Sequence, residues 1–470
     1  MRLRLVACFA LLSACSEGSA PPTAASASAS APAFVPLTPA GLPKTAPSVA
    51  KRAAVAPPPE PGPYSPRPDT SAAAPPSAAP AEPPKAIGTH KDWVAKYQGS
   101  GVAETNAPPQ LGVLSDLPDL QKGAVVFVRS QQLIRIDLPL GRETPLTKGP
   151  GSNTRPRFTR DAAWLYFQSN RDGAADRVYR MRPDGTQAEP VTDKLRTGMD
   201  TDWDISDDGA RVTYIERVDE QGSNALHVVD VATKEDREVY RSVGLSYASF
   251  SRDGKSLYFV DGFYETGPDA EHPKSLHRLD LATGKEERLP NGGYTEITQP
   301  WDLGDDRLLF AASIDFSMVG RSPRVFSMPA KGGAWSKVGS VEAPVGYVHF
   351  EPTLDKKKLA LATSMRQGGF GADWVVDINI EPIEGGTARR LTPGFPRPFY
   401  SAGSPSWAPD NRHLAFVLTL CPYMGCEPTI RSVVMVDTDA KEPKLAFIGY
   451  GGDPVVAPVA RALAPAKDAR

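Results

Sequence analysis

The sequence predicts an all-β fold: a β-propeller of four-stranded blades, seven of them by count, or six if the first unit is only a cap. From about residue 120 the chain breaks into short apolar runs of period two ended by Gly, Asp or Pro. Ala124-Val125-Val126-Phe127-Val128, Leu165-Tyr166-Phe167, Arg211-Val212-Thr213-Tyr214-Ile215 and Leu257-Tyr258-Phe259-Val260 are examples, and they read as strands. An aromatic residue followed by an acidic turn recurs at Phe158, Trp203, Phe250, Trp301, Phe350 and Trp407, spaced 45, 47, 51, 49 and 57 residues apart, the period of one blade. No stretch downstream carries a helical apolar stripe.

The N-terminal elements have a different composition. Residues 1–14 place Arg2 and Arg4 before an apolar run, Leu5 to Leu12, which is too short to anchor in a bilayer. Leu12-Ser13-Ala14-Cys15 resembles the lipobox of bacterial lipoproteins, which implies a lipidated Cys15 as first mature residue. A plain secretory signal ending at Ala14 is the alternative. Ser16 resembles an outer-membrane sorting context, so the expected location is the cell envelope, as an outer-membrane lipoprotein facing the periplasm or the surface. Much of the chain's 48 Pro lies in residues 15–88, an Ala/Pro/Ser-rich segment that cannot bury enough apolar surface to order itself and reads as a tether. Residues 89–120 form a lead-in with a possible short helix at Lys91 to Tyr97, and 461–470 a disordered tail.

Within 121–460 each unit reads as one blade. The aromatic fills the wedge between blades, Asp with Gly or Asn turns the chain, and the following apolar run packs between sheets. Residues 124–148 supply only three strand-like pieces, so the innermost strand of the first blade is expected from the other end of the domain, at Pro454 to Val459. Such a closure removes two exposed sheet edges. Ser169-Asn170-Arg171-Asp172-Gly173 and Arg389-Arg390-Leu391-Thr392 resemble the TolB-type propeller repeat over about 330 residues. The resemblance implies a fold shared by proteins of many functions.

Composition excludes some partners. Lys plus Arg is 53 against 55 Asp plus Glu, a net charge of -2, which gives nucleic acid no electrostatic footing and leaves only the lipid anchor as a membrane contact. Cys421 and Cys426 flank Pro422-Tyr423-Met424-Gly425 and read as a local disulfide of an exported protein, with zinc as the rival. No Gly-x-Ser-x-Gly elbow or phosphate loop is present. Asp200, Asp202 and Asp204 share one face of a strand and are the weak metal candidates, though the EF-hand order fails at Ile205.

Insertions in blades four, six and seven offer candidate binding residues on loops: Phe263, Tyr264, Arg366, Phe370, Trp374 and Tyr423. The expectation is therefore a monomeric envelope propeller, not an enzyme and without a cofactor. It would bind a protein, or a peptidoglycan-associated or other glycan component. The alternative is a hydrolase or lyase working at the central channel. Carboxylates or His converging in the channel would favour catalysis, and an aromatic patch on a rim would favour binding.

Overall fold

A single twisted sheet of alternating strands has two apolar faces and cannot cover both, so radial stacking into a ring is the way each blade buries its second face. The computed structural model describes residues 111–459, apart from 174–175, 194–202, 219–222, 263–273, 291, 293–295, 314–323, 340–347, 367–373, 393–399 and 421–429. It contains seven four-stranded antiparallel sheets. The innermost strands of blades 2 to 7 are Asn153–Phe158, Trp203–Ile205, Ser246–Phe250, Glu296–Asp302, Val348–Pro352 and Tyr400–Trp407.

Blade 1 is composite, as expected. Its innermost strand, Gly452–Val456, pairs antiparallel with Gly123–Arg129 through Val125↔Val456 and Val126↔Val455. The strand starts two residues earlier than the sequence suggests, because Gly451 turns the chain at φ 153, where a Cβ would lie 2.3 Å from the Val128 carbonyl. Gly permits what another residue could not.

The core lies between blades. Trp203, only 2% exposed, packs with Tyr166, Val178 and Val212 between blades 2 and 3. Trp407 packs with Ile378, Leu414 and Phe416 between blades 6 and 7. Phe127, Ile136, Val433 and Met435 fill the seam between blades 7 and 1. Ahead of blade 1, Gly112 bridges in parallel to Ala446, on the outermost strand of blade 7. Leu114, Leu117 and Leu120 then join the seam cluster. The suggested helix at 91–97 lies outside the described residues.

The acidic turns have a common chemistry. In Thr159/Asp161, Ser206/Asp208, Ser251/Asp253 and Thr353/Asp355 the hydroxyl donates to the carboxylate two residues on, at 2.6–2.7 Å. That carboxylate in turn accepts the N–H two residues further, as at Ala163 (2.8 Å) and Ala210 (2.9 Å). This local bonding is why Ser, Thr and Asp mark these tight turns.

All seven inner strands run the same way, so the ring has two distinct faces. In blade 2, Asn153 at the start of the inner strand pairs with Ser169 at the end of the second, and Ser169 pairs with Arg177 at the start of the third. The upper face therefore carries the starts of the inner strands. The lower face carries the tight acidic turns.

Candidate functional site

The inner strands surround a central cavity of about 990 Å³. Ladder register defines which of its residues are equivalent. Arg157, Asp204, Ser249, Trp301, Glu351, Ser406 and Val455 each pair with the same position of their blade's second strand. They form a middle ring, and all line the cavity.

Above it, five inner strands are bulged. Their registers slip between Thr154 and Arg157, Ser246 and Ser249, Thr298 and Trp301, Gly403 and Ser406, and opposite Val126 and Val128. Within each slip one residue is left-handed: Arg155 (φ 53), Tyr247 (φ 51), Gln299 (φ 52), Ser404 (φ 50) and Asp453 (φ 50). All five face the cavity. A non-glycine residue in this region costs roughly 1–2 kcal/mol, and four of the five precede a proline, which adds restriction. Blade 6 has no bulge, so His349 holds the equivalent place on a regular strand, two residues from Glu351.

The middle ring ties blade to blade. Phe250 N–H donates to Asp204 (3.0 Å), Trp407 N–H to Glu351 (3.2 Å) and Val456 N–H to the Ser406 hydroxyl (3.1 Å). Each neighbour satisfies a free edge N–H that the channel would otherwise leave unpaired. Arg157 Nη1 lies 2.5 Å from Asp204 Oδ1, and its guanidinium stands over Trp203 at 5.2 Å. On the lower face Asp207 is held between Arg160 (2.9 Å) and Arg252 (2.8 Å).

Burial controls ionisation at the centre. It pushes the Glu351 carboxyl up to about 8, against the pull of the Trp407 N–H, Arg157 and Arg252. Burial likewise brings His349 down to about 4, with Arg157 adding to the effect. Asp204 is raised by burial and lowered by Arg157. At neutral pH the centre therefore holds a protonated carboxyl, an uncharged imidazole and a guanidinium, the components of acid–base chemistry.

The cavity wall carries more cationic than anionic side chains, several of them already paired, as Lys274 is with Glu296 at 2.6 Å. Seven Lys or Arg line it against five Asp or Glu, one of which keeps its proton. Among the described residues, the buried Trp203 Nε1, Trp301 Nε1 and Ser246 Oγ have no hydrogen-bond partner. Arg217 lines the same wall.

Of the residues anticipated from sequence, Asp204 is at this centre, where its carboxylate meets Arg157; Asp200 and Asp202 lie outside the described residues. Among the described residues no group of three or more His, Cys, Asp or Glu is placed to hold a metal. Cys15, Phe263, Tyr264, Phe370, Cys421, Tyr423 and Cys426 lie outside the described residues. Arg366 and Trp374 pair across the upper end of the second and third strands of blade 6, and nothing further is described of their side chains. Sequence reasoning missed Arg157, His349 and Glu351. Stacking the six repeat units by their turns would have aligned Arg157, Asp204 and Glu351.

No family model matches the chain. Two curated relatives match short stretches: an uncharacterised protein, Atu1656, of Agrobacterium fabrum, 36% identical over 16% of this chain and 26% of its own length, and the uncharacterised peptidase YuxL of Bacillus subtilis, 31% identical over 25% and 17%. The chain thus spans about a quarter or less of these relatives. Structural neighbours are TolB and related propellers. TolB from Acinetobacter baumannii is 15% identical at TM-score 0.42, covering 76% of this chain and 89% of its own. A prolyl endopeptidase is 13% identical at 0.47, covering 76% and 55%. Oligogalacturonate lyase from Vibrio parahaemolyticus is 10% identical at 0.49, covering 68% and 91%. The expectation that the chain is not an enzyme is corrected here: this neighbourhood includes a protease and a lyase, and one curated relative is named a peptidase. The propeller alone gives no ground for excluding catalysis.

Proposed function

We propose that the protein is an envelope propeller that takes an acidic glycan chain into its central channel, where Arg157 holds a carboxylate and Glu351 offers a proton. The observation that carries this reading is the charge of the cavity wall: seven cations against five carboxyls, one of which keeps its proton. A ligand rich in oxygen acceptors along its length answers that surplus. A peptide backbone, with donors and acceptors in equal number, answers it less well. Trp301, partly exposed at the wall, adds aromatic surface of the kind that dominates recognition energetics. Protonated Glu351 is a proton donor at the cavity wall, able to hydrogen-bond a glycosidic oxygen of the bound chain.

Calorimetric titration of the full-length chain tests it with three probes: hexagalacturonate, cellohexaose and hexaglutamate. Expected is selective binding of hexagalacturonate, weakened by salt and at least tenfold by Arg157→Ala, with chromatography of the mixture reporting any new chain ends. Equal binding of cellohexaose or preference for hexaglutamate would overturn the reading.

A further inference from the structure

We infer that Arg155, Tyr247, Gln299, Ser404 and Asp453, the five left-handed residues above the middle ring, are the specificity-determining ring through which the acidic chain is admitted. This rests on the reading of the channel as a glycan site and names the residues that choose the ligand.

Three observations carry it. All five occupy one equivalent bulge in five different blades and line the same cavity. At a backbone position that glycine would occupy without strain, none of the five is glycine; every one places a polar side chain at the cavity wall. If the bulge served only to bend the strand, glycine would do so at lower cost.

The proline does not dictate the conformation either. Tyr247 is followed by Ala248 and is as left-handed as the four residues that precede a proline. What varies around the ring is only the side chain: a cation, a phenol, an amide, a hydroxyl and a carboxylate. A repeated backbone with unrepeated side chains is the pattern of a reader, and strain that persists at a binding site is the usual companion of such positions.

The ring also contains an element of selection against the ligand's own charge. Asp453 is exposed and is the one carboxylate among the five. It opposes an anionic chain and disfavours a ligand carboxylate at its own position.

Two kinds of variant test the inference in the full-length chain. Ser404→Gly and Gln299→Gly relieve strain and delete a contact: the expected result is a melting temperature raised by about 1–3 °C with hexagalacturonate binding weakened fivefold or more. Asp453→Asn should strengthen hexagalacturonate binding at least threefold. If wild type binds hexagalacturonate while both glycine variants and Asp453→Asn bind it equally well, the ring is structural and the inference is overturned. If wild type binds no hexagalacturonate, the channel reading itself has failed, and the ring's role falls with it.

Discussion

Glu351 and His349 show how one strand can carry two opposite titrations. In the folded chain Glu351 keeps its proton to about pH 8, whereas an ordinary glutamate loses it near 4.5. The folded state therefore binds more protons between these values, and stability falls as pH rises through them. His349 runs the other way: its folded value is about 4 against an ordinary 6.5, so stability rises with pH across that interval. The two oppose each other below 6.5, leaving the fall from 6.5 to 8 to Glu351 and to any share that the likewise raised Asp204 adds. Thermal unfolding should show a midpoint that drops between pH 6.5 and 8 in wild type and stays level in Glu351→Gln. A drop that survives the substitution would mean another group titrates there. Neither residue was legible as a site in the sequence, because the channel's middle ring takes one residue from each blade and its members stand 45 to 55 positions apart. Asp204 drew notice for a different reason, its acidic neighbours in sequence. Its partner in space is Arg157, 47 residues away.

Strands as elements were read well where alternation and turn chemistry agreed. The composite first blade followed from simple counting: three strand-like runs where four were needed, and a spare apolar run near the other end. The bulges were not legible. Pro156, Pro300, Pro405 and Pro454 sit inside inner strands, and proline in a strand ordinarily signals an edge or an interruption. Both apply here, since the inner strand is the edge that faces the channel and the bulge is its interruption. The seam between blades 7 and 1 should be the element most sensitive to change. Phe127→Ala, at a fully buried ring in that seam, is expected to cost about 3–5 kcal/mol in chemical denaturation. Removing residues 452–470 would bare the edge of Gly123–Arg129, and size-exclusion chromatography should then show larger species than the intact chain gives.

At the scale of the whole molecule, the ring is indifferent to what it is used for. The absence of a hydrolase motif in sequence excludes one mechanism only; groups brought together from different blades leave no motif. The export reading concerns a part of the chain outside the described residues. Its test is fractionation: Cys15→Ala should move the protein from membrane to soluble fraction, and retention of the variant in the membrane would count against lipidation. Closure has a consequence in time as well. Val125 acquires its inner partner only when Val456 arrives, 331 residues later. At about 5 to 20 residues per second of synthesis, that is on the order of 15 to 70 s. Through that interval the earliest blade waits with the edge of Gly123–Arg129 unpaired, and the latch shuts last.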